Sequence, residues 1–163
     1  MTIPTANPPQ PDVAGLVTAI ARNTDPGGLG KTLESYRWKV LGDYVQPATH
    51  KRGELLIGQG ELDRRLFFVE SGDLKVNMQS DKGSVHLAIV GPGSVVGEGC
   101  FFSHMARLAS VSAYSDCKVW VMSPADFERL SRANANVALA LCMALGTVMA
   151  TRMLDLGKRL AVI

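Results

Sequence analysis

Residues 97–111, Gly97-Glu98-Gly99-Cys100-Phe101-Phe102-Ser103-His104-Met105-Ala106-Arg107-Leu108-Ala109-Ser110-Val111, decide how the rest of the chain is read. A carboxylate set between two glycines is followed by a short apolar turn and then, ten positions after Gly97, by an arginine. The backbone N–H groups at a helix start lack intrahelical acceptors and attract anions. A guanidinium brought to the same point offers a planar fork that fits two phosphate oxygens, which the point charge of a lysine does less selectively. Glu98 carries only acceptors, so it suits a sugar hydroxyl and repels additional phosphate charge. Together these residues describe a cradle for one phosphate with a free hydroxyl beside it.

On both sides of this stretch the sequence breaks into short strands. Glu54–Ile57, Leu66–Val69, Leu74–Met78 and Val85–Val90 precede it, and Ala109–Ala113 and Lys118–Met122 follow. Turns fall at Gly53, Gly58–Gly60, Ser71–Gly72, Asp81–Gly83 and Gly91–Gly93. Short strands at regular spacing with glycine-bearing turns predict an antiparallel β-roll. Helical spacing frames it. Val13, Leu16, Val17 and Ile20 mark a helix that Pro26, Gly27 and Gly28 stop, and Leu33, Tyr36, Arg37, Val40 and Leu41 begin a second pattern. Beyond the strands, Ser123 is placed to cap a helix with Pro124 at its first position and Phe127 and Leu130 turned inward. After Asn134, the residues Val137, Leu141, Leu145, Val148 and Leu156 keep an apolar face through a long final helix. Ala and Gly are interleaved along it, which invites a partner helix. The expected organisation is an extended tail over 1–12, with prolines at 4, 8, 9 and 11, then helices over 13–44, then a roll with C-terminal helices over 45–163. The fold class is α+β: an eight-stranded antiparallel β-roll, jelly-roll-like, of the double-stranded β-helix type.

Three segments in this order resemble the cyclic-nucleotide-binding domain family, which includes the catabolite-activator-like regulators and the regulatory subunits of cAMP-dependent protein kinase. Residues 53–61 (GELLIGQGE) are similar to the family's strand, glycine turn and acidic residue. Residues 66–76 (LFFVESGDLKV) are similar to its aromatic strand and serine-glycine turn, and residues 97–111 to its phosphate-binding cassette, whose spacing from glycine to arginine they keep. The resemblance implies that Arg107 and the backbone of Gly97, Gly99, Cys100, Leu108 and Ala109 hold a cyclic phosphate while Glu98 takes the ribose 2′-hydroxyl. It also implies that the long helix meets the purine, with Thr151 bonding its edge and Arg152 stacking over the ring. Two departures stand out. Ala106 occupies a position where many members have proline, and Leu108 one where a small or hydroxylated residue is usual. Members selective for cGMP use a hydroxyl at the latter position, so Leu108 favours cAMP over cGMP, and its bulk is expected to narrow the pocket.

Composition sets the outer bounds. A length of 163 residues with 47% hydrophobic and 20% charged residues accommodates one globular domain. Seventeen Lys+Arg against fifteen Asp+Glu leave a net charge of +2 without a basic stripe, so charge gives no footprint for nucleic acid. Cys100, Cys117 and Cys142 form no close pair, and His50, His86 and His104 stand apart, which argues against disulfides, zinc or a cupin-type metal site. The start of the chain lacks a signal-peptide pattern, and the longest apolar-rich stretch, 137–150, is too short to span a bilayer, so a cytoplasmic protein without a membrane partner is expected. Residues 27–32 (GGLGKT) fall short of a phosphate-binding loop because Asp25 stands where its first glycine is required, and they read as an interhelical turn. No nucleophile and base are grouped, so no enzyme activity is expected.

The sequence therefore predicts a non-catalytic cAMP sensor needing no cofactor or metal, signalling through its long helix, dimerising through the same helix and reporting to an unidentified protein effector. The family's regulators begin a DNA-reading module where residue 163 lies, so no direct DNA binding is expected. The alternative is a degenerate roll that dimerises and binds no nucleotide.

Overall fold

Four consecutive apolar residues, Leu66-Phe67-Phe68-Val69, open strand β3 (Leu66–Ser71), and all four are buried. Alternate side chains of a strand point to opposite faces, so burial of both Phe67 and Phe68 requires a sheet covered on both sides. Phe101 is buried and Phe102 exposed, but on a helix (Glu98–Ser103), where strand alternation does not apply; at Phe67-Phe68 the alternation that would place one residue of the pair inside fails. The computed structural model, which describes residues 10–161, supplies the reason.

Eight strands form two four-stranded antiparallel sheets. The others are β1 (Gln46–His50), β2 (Leu55–Ile57), β4 (Leu74–Ser80), β5 (Gly83–Val90), β6 (Val95–Val96), β7 (Ser110–Ala113) and β8 (Cys117–Met122). One sheet has the order β1-β8-β3-β6 and the other β2-β7-β4-β5, which is the expected β-roll. Between them lies one core: Phe67, Val69, Val96 and Val119 of the first sheet meet Ile57, Leu74 and Val111 of the second. On the outer face of the first sheet a second core joins Leu66, Phe68 and Trp120 to helical residues. There Trp38 stands edge-on to Phe68 with ring centroids 5.4 Å apart. Full burial of side chains this large contributes ~2–3 kcal/mol each.

Two strands left no mark in the sequence pattern. β1 carries Pro47, tolerated because it lies at a sheet edge and pairs only with β8, and β6 is two residues long. The helical pattern from Leu33 to Leu41 is also broken up. It becomes a 3₁₀ turn over Ser35–Arg37, a single α-turn over Trp38–Leu41 and a second 3₁₀ turn over Gly42–Tyr44, with Tyr36 exposed. The first nine residues of the expected tail lie outside the described residues.

Helix α1 (Ala14–Arg22) packs Leu16 and Ile20 into the outer core. With the single turn Trp38–Leu41 counted as α2 and the cassette helix Glu98–Ser103 as α3, two helices follow the strands. α4 (Pro124–Ala133) begins with the expected cap, extended into a reciprocal box in which the Ser123 hydroxyl accepts from the Asp126 N–H and the Asp126 carboxylate accepts from the Ser123 N–H. α5 (Ala135–Ala161) starts where the Asn134 side chain accepts from the Val137 N–H at 3.1 Å.

Val137, Leu141, Leu145 and Val148 of α5 are buried in the outer core, but the buried face ends there and Leu156 is exposed. The apolar character of α5 extends beyond 137–150. Ala135–Lys158 is long and apolar enough by length and composition to cross a membrane: its most apolar 18-residue window has a mean hydropathy of 1.8, with a third (33%) of that window buried against the rest of the chain.

Candidate functional site

Gly97 ends β6 in a left-handed conformation, φ +94°, where L side chains are strained. A Cβ added there would lie 2.6 Å from the Arg65 carbonyl oxygen and 2.8 Å from Arg107 Nη1, so the position admits only glycine. The turn feeds directly into α3, whose first residue is Glu98. Phe101 is the first residue here to bond back, to the Gly97 carbonyl at 3.2 Å. The earlier N–H groups at the helix start have no acceptor one turn back.

After α3 the chain returns past the Gly58–Glu61 turn. There the Arg107 N–H donates to the Glu61 carbonyl at 2.8 Å, and the Arg107 carbonyl accepts from the Gly60 N–H at 2.8 Å. The backbone is thereby fixed and the Arg107 side chain is directed inward. Its guanidinium is 4% exposed, donates from Nη1 to the Gly97 carbonyl at 2.9 Å and from Nη2 to the Arg65 carbonyl at 2.7 Å, and lies 3.7 Å from the Asp63 carboxylate. Its Nε is buried and has no hydrogen-bond partner among the described residues. A buried cationic donor left without an acceptor is costly, and Arg64 Nε and Trp38 Nε1 share that condition.

Glu98 is also buried, at 8% exposure. Its partner comes from α5: Arg152 Nη1 pairs with Glu98 Oε1, and Nη2 donates to the Val95 carbonyl at 2.9 Å. Glu98 and Arg107 thus face one cavity of about 480 Å³, which Gly97, Gly99, Cys100, Leu108 and Ala109 help to line and for which Ile57, Val76, Val111 and Met149 supply apolar wall. The structure brings together every residue of the sequence-derived set except Thr151. That side chain lies against Gly27, whose added Cβ would fall 2.1 Å from Thr151 Oγ1, and it lines a separate cavity of about 310 Å³. The resemblance put Thr151 on the purine, but it points to the other side of α5 from Met149. Arg152 reaches the expected cavity, where it meets a carboxylate instead of standing free over an aromatic ring. The expected narrowing by Leu108 does not occur, since its side chain is 76% exposed at the rim.

Sequence reasoning missed Asp63 and Arg65, which lie in the gap between the two family-like segments before β3. Arg65 anchors Asp63 through Nε at 2.9 Å and Nη2 at 2.8 Å, and Asp63 in turn faces Arg107. Three charged residues in a row, Asp63-Arg64-Arg65, read as a solvated turn; only the folded chain shows that one of them faces a buried arginine. His104 closes α3 with φ +58° and is exposed, as a loop residue would be. No group of three or more His, Cys, Asp or Glu side chains is gathered among the described residues.

A family model described as the cyclic nucleotide-binding domain matches residues 48–134, which span both sheets and the cassette. The chain belongs to the cyclic nucleotide-binding domain family. This cyclic nucleotide-binding domain is 32% identical over 101 residues to the cAMP-dependent protein kinase type II regulatory subunit of Drosophila melanogaster. The matched stretch is 61% of this chain and 27% of the fly protein. In architecture the domain is similar to a cyclic nucleotide-binding domain from Methylobacillus flagellatus KT, with a TM-score of 0.76 and 20% identity over 89% of this chain and 80% of that one. It is also similar to the N-terminal domain of a transcriptional regulator from Streptomyces coelicolor A3(2), with a TM-score of 0.67 and 27% identity over 82% and 94% of the two chains.

Charge behind the wall of the site, beside Arg107, responds to pH. Burial raises the pKa of the Asp63 carboxyl, but the hydrogen bonds from Arg65 and the charges of Arg65 and Arg107 outweigh burial and leave it below its ordinary value. A carboxyl whose pKa is lowered on folding adds stability above its unfolded pKa, about 4 for Asp, and that stability is lost as pH falls through the folded value. Urea unfolding at pH 7 and at successively lower pH should show an acid-side loss that is smaller in Asp63→Asn. An identical acid limb in the variant would show that Asp63 is not held by these partners.

Proposed function

We propose that the domain is a non-catalytic sensor of cyclic nucleotide, with cAMP preferred, working in the cytoplasm and signalling to an effector protein through α5. The observation that carries the proposal is Arg107, which helps to line the cavity with a guanidinium that is buried, braced by two carbonyls and unpaired at Nε. One phosphate charge would satisfy that donor. The Glu98 carboxylate, also at the cavity, would accept from a ribose 2′-hydroxyl and disfavour ligands with more phosphate. The backbone around Gly99, Cys100, Leu108 and Ala109 would complete the phosphate contacts, and the apolar wall would receive the base. Preference for cAMP is supported by the regulatory-subunit relative and by Leu108, which has no hydroxyl to offer a guanine amino group. One observation favours the second reading, a roll that binds no nucleotide: Glu98 already has a cationic partner in Arg152.

The dimer belongs to the same proposal, on a different face of α5 from the one first expected. The residues Val137, Leu141, Leu145 and Val148 are used within the chain. Leu139, Met143, Gly146, Ala150, Met153 and Gly157 are all exposed and recur at alternating spacings of four and three. This is the seam of a two-stranded coiled coil, and its small residues allow close backbone approach. A second copy of the chain would present the same seam across a two-fold axis.

Calorimetric titration should show cAMP binding to the wild type and weakening of at least ~30-fold in Arg107→Ala, about 2 kcal/mol for a charged hydrogen-bond partner. No binding of cAMP or cGMP at millimolar concentration would favour the degenerate roll. Light scattering after size exclusion should give twice the chain mass for the wild type and a smaller mass for Ala150→Glu, which places two like charges on the seam. A monomeric wild type at high concentration would rule out the dimer.

A further inference from the structure

One face of α3 lines the cavity, through Glu98, Gly99, Cys100 and Ser103. Phe101, turned the other way, is buried in the outer core and stands edge-on to Phe127 of α4 with ring centroids 5.1 Å apart. Its carbonyl lies in the last turn of a six-residue helix, where no later residue of the helix can donate to it. The donor comes from outside: Arg64 Nη2 bonds the Phe101 carbonyl at 2.8 Å, and the guanidinium carbon lies 5.8 Å from the centroid of the Phe101 ring. Arg64 is half-buried behind α3 and takes no part in the cavity wall. Its buried Nε has no partner among the described residues, a loss that a side chain turned to solvent would not incur.

We infer that Arg64 is a positioning residue for the binding site: by holding the far end of α3 it sets Glu98, at the near end, against the Arg107 guanidinium without touching the ligand. The inference rests on the proposed sensor reading, in which Glu98 takes the ribose 2′-hydroxyl and Arg107 the phosphate. Those two groups belong to different parts of the cassette, Glu98 to its helix and Arg107 to the return after it. The start of α3 is tied to Arg107 through the Gly97 carbonyl, and one point alone leaves a helix free to pivot. Arg64 supplies the second point. Its neighbours in sequence hold the other group, since the Arg65 carbonyl accepts from Arg107 Nη2 and the Asp63 carboxylate faces the same atom. Three consecutive residues therefore set the spacing between the two groups. In a 3′,5′-cyclic nucleotide the phosphate and the 2′-hydroxyl are carried on fused rings, so the ligand cannot adjust to a carboxylate that has shifted by a fraction of an ångström.

The test is calorimetry of cAMP and 2′-deoxy-cAMP on the whole chain, in the wild type and in Arg64→Met, which keeps an unbranched apolar side chain beside the Phe101 ring and donates nothing. The wild type should prefer cAMP. Arg64→Met should bind cAMP roughly tenfold more weakly, while 2′-deoxy-cAMP, which makes no use of Glu98, should lose no more than about threefold. Arg64→Lys, which returns one charged donor, should recover most of the difference. A residue that only stabilised the fold would weaken both nucleotides alike, so an unchanged preference for cAMP in Arg64→Met overturns the inference and leaves the sensor reading in place. If Arg64→Met does not fold, the wild type still decides: with cAMP bound, the Arg64 guanidinium protons should exchange with water more slowly than those of the exposed Arg52, and equal rates overturn the tether. Failure of the wild type to bind cAMP removes the sensor reading, and equal binding of the two nucleotides by the wild type removes Glu98 from the ribose; either result takes the inference with it.

Discussion

A guanidinium held at 4% exposure has to be compensated from several directions, and much of the local architecture around Arg107 does so. The Gly97 carbonyl comes from one stretch of backbone and the Arg65 carbonyl and Asp63 carboxylate from another. For them to converge, the chain must turn left-handed at Gly97, run back past Gly60 and Glu61, and enter β3 immediately after Arg65. A misplacement of any of these would leave a charge buried without partners, a penalty of several kcal/mol. The cradle is therefore preorganised by the fold. On the proposed reading a phosphate would have only to supply an acceptor for an atom already in position, without the cost of ordering the loop.

Helix α5 connects this cradle to the outside. Its first half is anchored by Leu141 and Leu145 in the core behind the first sheet, its second half leaves the body, and Arg152 stands where the two regimes meet. The inward and outward faces of the helix are chemically similar, both apolar with small residues interleaved. Their roles differ because the outer core lies against only one of them. Arg152 thus joins Glu98 to a segment with little else to hold it.

The sheets and the cassette were legible because their signals are local. Glycine turns bound the strands, and the spacing from Gly97 to Arg107 survives as sequence distance. The capping of α4 by Ser123 was legible for the same reason, and it turned out fuller than expected, with Asp126 completing the box. What could not be read depended on long-range packing. Burial of both Phe67 and Phe68 requires helices on the far face of the sheet, Pro47 is acceptable only at a sheet edge, and the side of α5 on which Thr151 falls is fixed by the docking of Gly27. Asp63 is the sharpest case. Its neighbours in sequence are charged and turn-like, and its partner Arg107 is 44 residues away by numbering.

The most direct measurement is the nitrogen–proton correlation signal of the Arg107 Nε–H during titration with cAMP. The account predicts that this resonance moves downfield and becomes protected from exchange with water as a phosphate oxygen accepts its hydrogen bond. A resonance that stays in place at saturating cAMP would contradict it, because the buried donor on which the functional reading stands would then have no part in binding.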